Sequence, residues 1–91
     1  MAWTGKASEA EMKSVLSAID VLEQRPFINH MSYDTIAKTT HTLKATAVRW
    51  IIIELVNAGY VIQITVGEQK VPRYFYKLTD KGRSFMEGNN A

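Results

Sequence analysis

The chain contains no cysteine among its 91 residues. A disulfide scaffold, a thiolate metal site and a cysteine nucleophile are therefore excluded, and a reducing cytoplasm suits the protein. No apolar run approaches the ~20 residues that cross a bilayer. The first residues, 1–6, also lack the apolar stretch of a secretion signal. We therefore expect a cytoplasmic protein that makes no contact with a membrane.

Groups that carry catalysis or bind metals are scarce as well. The chain has no glycine-rich phosphate loop, and its nine acidic residues are scattered singly. His30 and His41 are its two histidines, and no cluster of carboxylates accompanies either of them. No order of Ser, His and Asp suggests a catalytic triad. We therefore expect neither an enzyme nor a protein with a metal or another cofactor.

The composition is that of a small globular domain. Hydrophobic residues make up 46% of the chain and charged residues 22%, which favours a packed core over disorder. Ninety-one residues suffice for one domain and one core. We expect a single domain over residues 1–91, with residues 1–7 and 88–91 as flexible ends.

The charge is unevenly distributed along the chain. The net charge is +2, but residues 1–34 carry a balance of −2 and residues 35–91 a balance of +4. No acid lies between Asp34 and Glu54, and in the later basic cluster Glu68 is the only one. The bases of these two stretches are Lys38, Lys44 and Arg49, then Lys70, Arg73 and Lys77. A polyanion would be attracted to this part of the chain.

The first half of the sequence predicts three helices. The first runs from Ser8, a good N-cap, to about Gln24, and Pro26 ends it. Its apolar stripe is Met12, Val15, Leu16, Ile19 and Leu22. Phe27 and Ile28 are expected to be extended. The second helix runs from Tyr33 to about Thr39, capped by Ser32, with Met31 and Ile36 as a hydrophobic staple.

A polar turn at residues 40–42 leads to the third helix, from about Leu43 to Ala58, which Gly59 ends. Its predicted core positions are Val48, Ile51, Ile52, Leu55 and Val56. A hairpin follows, with strands Tyr60–Val66 and Arg73–Leu78, a turn at Gly67–Lys70 and an edge position for Pro72. Thr79 or Asp80 caps a last helix, Lys81–Glu87. The predicted class is α+β, with a three-helix core, a two-stranded hairpin and a short C-terminal helix.

Three motifs in this order resemble those of winged helix-turn-helix regulators of the MarR and PadR kind. They are Tyr33-Asp34-Thr35-Ile36-Ala37, Leu55-Val56-Asn57-Ala58-Gly59-Tyr60-Val61 and Tyr76-Lys77-Leu78-Thr79-Asp80-Lys81-Gly82. The resemblance covers about residues 8–87. Two features depart from the family. The turn before the third helix is about one residue longer, and the helix start, Lys44-Ala45-Thr46-Ala47-Val48-Arg49, has fewer base-reading side chains.

The resemblance implies a transcriptional regulator that binds double-stranded DNA. Helix 43–58 would enter the major groove, and the 60–78 wing would touch flanking DNA. Arg49 would bind a guanine edge and Lys44 a phosphate, while Thr46 would meet a base or a thymine methyl. The full set of expected DNA contacts is Lys38, Thr40, His41, Thr42, Lys44, Ala45, Thr46, Arg49, Lys70 and Arg73. These charges are few for one copy, so we expect a homodimer on half-sites ~34 Å apart. It would be nucleoid-associated, or in the host cytoplasm if phage-encoded.

Other interpretations of the same residues remain open. The basic side chains of the third helix also suit an ordinary solvated surface, and those of the hairpin would protect its edge from aggregation. Trp50 and Ile53 lie off the apolar stripe, and burial beneath the first helix or the C-terminal segment is the interpretation we favour for them. Otherwise they form a partner or dimer surface with Trp3 and Phe85. The alternative function is a protein-interaction module that does not read DNA, such as an adaptor, an inhibitor or a replication or packaging component.

Overall fold

The computed structural model describes residues 7–25, 31–67 and 73–88. Over these residues the chain is α+β, with four helices and a two-stranded antiparallel sheet. The order is α1 (Glu9–Glu23), α2 (Tyr33–Thr40), α3 (Ala45–Asn57), β1 (Val61–Val66), β2 (Arg73–Leu78) and α4 (Asp80–Glu87). The predicted class and order of elements are confirmed. The predictions for Trp3, Phe27, Ile28, Lys70 and Pro72, and for the turn beyond Gly67, lie outside the described residues.

The element boundaries agree with the predicted ones to within two residues. The largest difference is at α3, which starts at Ala45 rather than Leu43. Ala7 and Gly88, which were assigned to flexible ends, belong to the folded body. Ala7 is buried, with 7% of its surface exposed, and its N–H donates to Glu54 Oε2 at 3.0 Å. Gly88 ends α4 in the left-handed conformation.

Local side-chain chemistry fixes the start of α1. The Ser8 Oγ accepts the Glu11 N–H at 3.1 Å, and the Glu11 carboxylate accepts the Ser8 N–H at 3.1 Å. This reciprocal capping box satisfies backbone donors that have no partner inside the helix. The predicted stripe lies against the core. Val15, Leu16, Ile19 and Leu22 are fully buried there, with Met12 partly buried.

Side-chain hydrogen bonds also fix α2 and the turn that follows it. Ser32 caps the helix by accepting the Thr35 N–H at 3.1 Å, while Met31 and Ile36 are buried at its two flanks. His41 ends the helix in the left-handed conformation, with φ of 63°. Residues 41–44 then turn the chain into α3. α2 packs against both α1 and α3.

A junction between residues 58–60 and residues 79–82 joins the end of α3 to the start of α4. The left-handed Gly59 reverses the chain after α3. The Lys81 ammonium donates to the Ala58 carbonyl at 2.9 Å, and the Thr79 hydroxyl donates to the Gly59 carbonyl at 2.7 Å. The Thr79 N–H donates to the Tyr60 carbonyl at 3.0 Å. Two of the three sequence motifs therefore meet at this junction.

The two strands pair in a register that runs from Val61 opposite Leu78 to Val66 opposite Arg73. Directly opposite residues share a face of the hairpin. Val61, Tyr76 and Leu78 are buried on the inner face. We call the other side the outer face of the hairpin, and its residues are Ile62, Ile64, Val66, Arg73, Phe75 and Lys77. On the far edge of β2, the Tyr74 carbonyl accepts the Met31 N–H at 3.0 Å.

The burial of α3 differs from the predicted pattern at three positions. Its fully buried residues are Val48, Ile51, Ile52 and Leu55. Val56, predicted to face the core, is 36% exposed, and Trp50 and Ile53 are each 39% exposed. The burial favoured for Trp50 and Ile53 is therefore wrong. The reason is geometric, because a rotation of about 100° per residue turns positions 50 and 53 away from the four core positions.

Within the described residues, no helix combines the length and the apolar character needed to cross a bilayer.

Candidate nucleic-acid interface

The side of α3 that faces away from the core carries a strip of exposed residues. Spacings of three and four residues bring its members onto one side of the helix. They are Thr46, Arg49, Trp50 and Ile53, and all four are exposed. We call these four residues the outer face of α3. The structure thus groups two of the predicted DNA contacts with two residues that were assigned to a partner surface.

Arg49 lies against its neighbour on this face. Its guanidinium carbon is 5.6 Å from the centre of the Trp50 ring. A cation near the face of an indole is attracted by the electrons of the ring. Arg49 forms no ion pair within residues 7–25, 31–67 and 73–88. Its charge is therefore available to an anionic ligand.

The start of α3 differs from the starts of the other described helices. Ser8, Ser32 and Thr79 cap their helices with a side-chain oxygen, whereas Lys44 stands at the N-cap of α3 and makes no side-chain cap hydrogen bond. The N–H groups of the first turn of α3 consequently lack that partner. They also lie at the positive end of the helix dipole, beside the exposed Lys44 ammonium. An anion such as a phosphate is stabilised by this combination.

The turn between α2 and α3 contributes unequally to the candidate interface. Lys38, His41 and Thr42 are exposed. Thr40 is half-buried, and its side chain already forms two hydrogen bonds. Its hydroxyl donates to the Ala37 carbonyl at 2.7 Å and accepts the Leu43 N–H at 3.2 Å. Its hydroxyl hydrogen is used inside the turn. Thr40 therefore shapes the turn and has no proton to donate to a phosphate.

Acidic groups are few around this surface. The first acid after Asp34 is Glu54, and the carboxylate of Glu54 accepts the Ala7 N–H. In the described part of the chain, the ion pairs are Lys13 with Glu9 and Arg83 with Asp20, which involve α1 and α4. The α2–α3 region therefore combines three cations, Lys38, Lys44 and Arg49, with two acids, Asp34 and Glu54, and its net charge is positive.

The hairpin combines charge with exposed apolar groups. Arg73 and Lys77 are exposed on its outer face. Beside them, Ile62, Ile64 and Val66 are 48%, 40% and 49% exposed. This apolar surface was not predicted from the sequence. Its signal was the alternation of apolar residues 62, 64 and 66 with Gln63 and Thr65, which would ordinarily place the three apolar residues toward the core.

Phe85, a described member of the predicted partner surface, is not grouped with Trp50 and Ile53. Phe85 is half-buried and stacks on Tyr60, with the ring centres 4.7 Å apart, and the Lys13 ammonium lies 5.6 Å from its ring. Most of that ring is used in packing α4 against the rest of the protein. Ala45 is half-buried at the start of α3. Among the described residues, no cluster of His, Asp and Glu side chains could hold a metal ion.

Comparison with known proteins gives no relative, since no family model, curated protein or solved structure matches the chain.

Proposed function

We propose that the chain is a winged helix-turn-helix domain that binds duplex DNA as a transcriptional regulator. The observation that carries the proposal is the outer face of α3, an exposed helix surface flanked by the cations of an acid-free stretch. In this arrangement α2 is the positioning helix, α3 the recognition helix and the β1–β2 hairpin the wing. A helix about 10–12 Å in diameter fits a major groove about 12 Å wide.

The proposed contacts of α3 are of two kinds, phosphate contacts that position the helix on the duplex and base contacts that recognise its sequence. Lys44 and the uncapped first turn of α3 bind a phosphate, which sets the register of the helix on the duplex. Thr46 and Arg49 follow on the outer face, where side chains meet base edges. Arg49 donates two hydrogen bonds to a guanine, a contact worth about 1–3 kcal/mol of discrimination. Thr46 offers a hydroxyl and a methyl group.

The turn and the hairpin supply further backbone contacts. Lys38, His41 and Thr42 lie at the entry to α3, where such contacts fix orientation without reading sequence. Arg73 lies at the start of β2 and Lys77 further along it, both on the outer face of the hairpin. One copy presents few cations, so tight binding requires two copies on half-sites ~34 Å apart. The regulator acts on DNA in the cytoplasm.

One observation favours a second candidate function, a winged-helix module that binds protein. The outer face of the hairpin exposes Ile62, Ile64 and Val66 side by side. A contiguous apolar surface of this kind is typical of a protein-interaction site. The two functions predict different responses to salt, because a contact made by apolar groups does not weaken as counterions are added.

The test is a mobility-shift titration on duplex DNA at two salt concentrations. The wild type is compared with Lys44→Ala/Arg49→Ala and with Lys13→Ala/Arg83→Ala. The control removes the same amount of charge from α1 and α4, away from the proposed interface. We expect the first double variant to lose about 5- to 100-fold in affinity through Arg49. Loss of one phosphate contact at Lys44 should also lower the salt slope by about 0.9.

The control variant should bind as the wild type does, apart from a small uniform effect of lower charge. Equal losses in the two double variants would mean that α3 is not the interface. A wild type that shifts no DNA at low salt, yet forms a stable complex with another protein, would replace the DNA-binding proposal with the second candidate.

A further inference from the structure

We infer that the outer face of α3 reads thymine methyl groups, so that its preferred site combines adjacent thymines with a single guanine. This inference rests on the proposed function, and it assigns a role to Trp50 and Ile53. These two residues are each 39% exposed, and they form the C-terminal half of the outer face of α3, the surface that would enter the groove.

The spacing of the apolar groups suits consecutive base pairs. Thr46, Trp50 and Ile53 are four and three residues apart, which aligns them in one strip along the helix. With a rise of 1.5 Å per residue, the strip is about 10 Å long. Base pairs stack about 3.4 Å apart. A helix lying along the groove would therefore place this strip over about three base pairs.

Thymine is the base whose groove edge suits such a strip. In the major groove, the other bases present hydrogen-bond donors and acceptors, whereas thymine also presents its C5-methyl group. Ile53 has no polar atom, so it would leave the edge of a guanine, cytosine or adenine without a partner and without water. Against a thymine methyl, Ile53 and the Trp50 ring instead bury apolar surface. Attraction to thymine and rejection of the other bases therefore act in the same direction.

Arg49 adds one polar contact next to the apolar pair. Its guanidinium lies 5.6 Å from the Trp50 ring, which restricts the arginine while leaving N–H groups at the edge of the guanidinium. These groups match the two acceptors of a guanine. A single guanine beside thymines is the pattern that Arg49, Trp50 and Ile53 would read together.

Duplex DNA is the occupant that the charges favour. Lys38, Lys44 and Arg49 lie on the α2–α3 segment, and no acid occurs between Asp34 and Glu54. The apolar pair thus lies on the same helix as Arg49 and follows the exposed Lys44 at the start of that helix. A polyanion with apolar groups along its groove complements such a surface.

The test compares two duplexes that differ only in methyl groups. One carries runs of adjacent thymines on one strand with a single central guanine, and the other is the same duplex with uracil in place of every thymine. Uracil keeps the charges and the hydrogen-bond groups of thymine. We expect the wild type to prefer the thymine duplex by about fourfold for each methyl covered, or roughly 15-fold for two. The salt slopes should be equal, because the phosphate contacts are the same.

Two variants locate the effect on the protein. Trp50→Ala/Ile53→Ala should lose most of the preference for the thymine duplex and keep at most the part that the Thr46 methyl group supplies. Val21→Ala removes an apolar side chain that is 45% exposed on α1 and should keep the full preference. Circular dichroism spectra of both variants verify that they are folded.

The possible outcomes separate this inference from the proposed function. Equal binding of the two duplexes by the wild type would overturn methyl reading and leave DNA binding in place. An undiminished preference in Trp50→Ala/Ile53→Ala would also overturn it, because the methyl groups would then be read elsewhere. No binding to either duplex at low salt would overturn the proposed function together with the inference.

Discussion

Replacing Gly82 with alanine tests how α4 is joined to the rest of the protein. Gly82 is buried in the first turn of α4, and its N–H donates to the Thr79 hydroxyl at 3.0 Å. A Cβ atom at this position would overlap the carbonyl oxygen of Tyr60, lie 2.8 Å from the Tyr60 carbonyl carbon and lie 3.1 Å from its Cα. These are backbone atoms, which cannot rotate out of the way as the end of a side chain can.

Two effects of opposite sign act at this position. Alanine is favoured over glycine inside a helix by about 0.5–1 kcal/mol, so helix propensity alone predicts a more stable variant. Relief of the overlap requires α4 to move away from Tyr60. That movement strains three junction hydrogen bonds, made by Thr79 and Lys81, each worth about 0.5–1.5 kcal/mol. It also disturbs the Tyr60–Phe85 stack, worth about 0.5–1.5 kcal/mol.

The steric overlap with Tyr60 should outweigh the higher helix propensity of alanine. We expect a net loss of about 2 kcal/mol in the free energy of unfolding. For a domain of this size that corresponds to a fall in Tm of about 8–16 °C. Urea and thermal unfolding followed by circular dichroism measure both quantities. Ser84→Ala, on the exposed side of the same helix, is the control and should be neutral or stabilise by a few tenths of a kcal/mol. A Gly82→Ala protein as stable as the wild type would refute the packing described for the junction.

Two further predictions concern stability. Ser8→Ala removes the capping box of α1 and should lower the free energy of unfolding in urea by about 1 kcal/mol. Ser17→Ala in the same helix is the control and should not lower it. Equal losses in the two variants would mean that the capping box does not stabilise the protein. Burial, followed by the hydrogen bond to Tyr33, raises the pKa of Tyr76 well above its usual value. The unfolded chain then loses this proton first, so the free energy of unfolding should be unaffected below about pH 10 and fall as the pH rises beyond it. Tyr76→Phe should show a shallower alkaline decline, and an unchanged decline would contradict this origin.

Local chemistry made the helices and their starts predictable from sequence. Ser8, Ser32 and Thr79 are residues that cap helices through their own side chains, and each stands where that chemistry requires. Gly59 likewise needs only its own backbone freedom to end α3. Such signals act over three or four residues, so a single sequence contains them in full.

The solvent-facing surfaces were harder to predict because they depend on which element packs where. A run such as Trp50-Ile51-Ile52-Ile53 is apolar at every position, so hydrophobicity alone does not say which two side chains turn outward. The strand showed the opposite difficulty. The apolar residues of β1 alternate regularly, yet Val61 faces inward and Ile62, Ile64 and Val66 face outward. Pairing with β2 and contact with α3, rather than alternation, decide its orientation.

Some properties of the residues in the candidate interface could be predicted from the sequence, and others could not. Exposure of Lys44, Thr46 and Arg49 could be expected from their polarity, and the structure places all three at or near the start of α3. The role of Thr40 inside the turn could not be predicted from the sequence. It depends on the Ala37 carbonyl and the Leu43 N–H lying close to the same hydroxyl. Whether these residues meet DNA is what the titrations above decide.

The hydrogen bond from the Ala7 N–H to Glu54 has a practical consequence for handling the protein. It fastens the beginning of the described chain to the flank of α3, one residue beyond Ile53 in sequence. An affinity tag or fluorescent fusion attached upstream is therefore joined to a chain that reaches the flank of α3 at residue 7, and α3 is the helix that we propose meets DNA. A tag appended after residue 91 avoids that attachment point. Binding measured with the two placements should differ if α3 is where DNA docks.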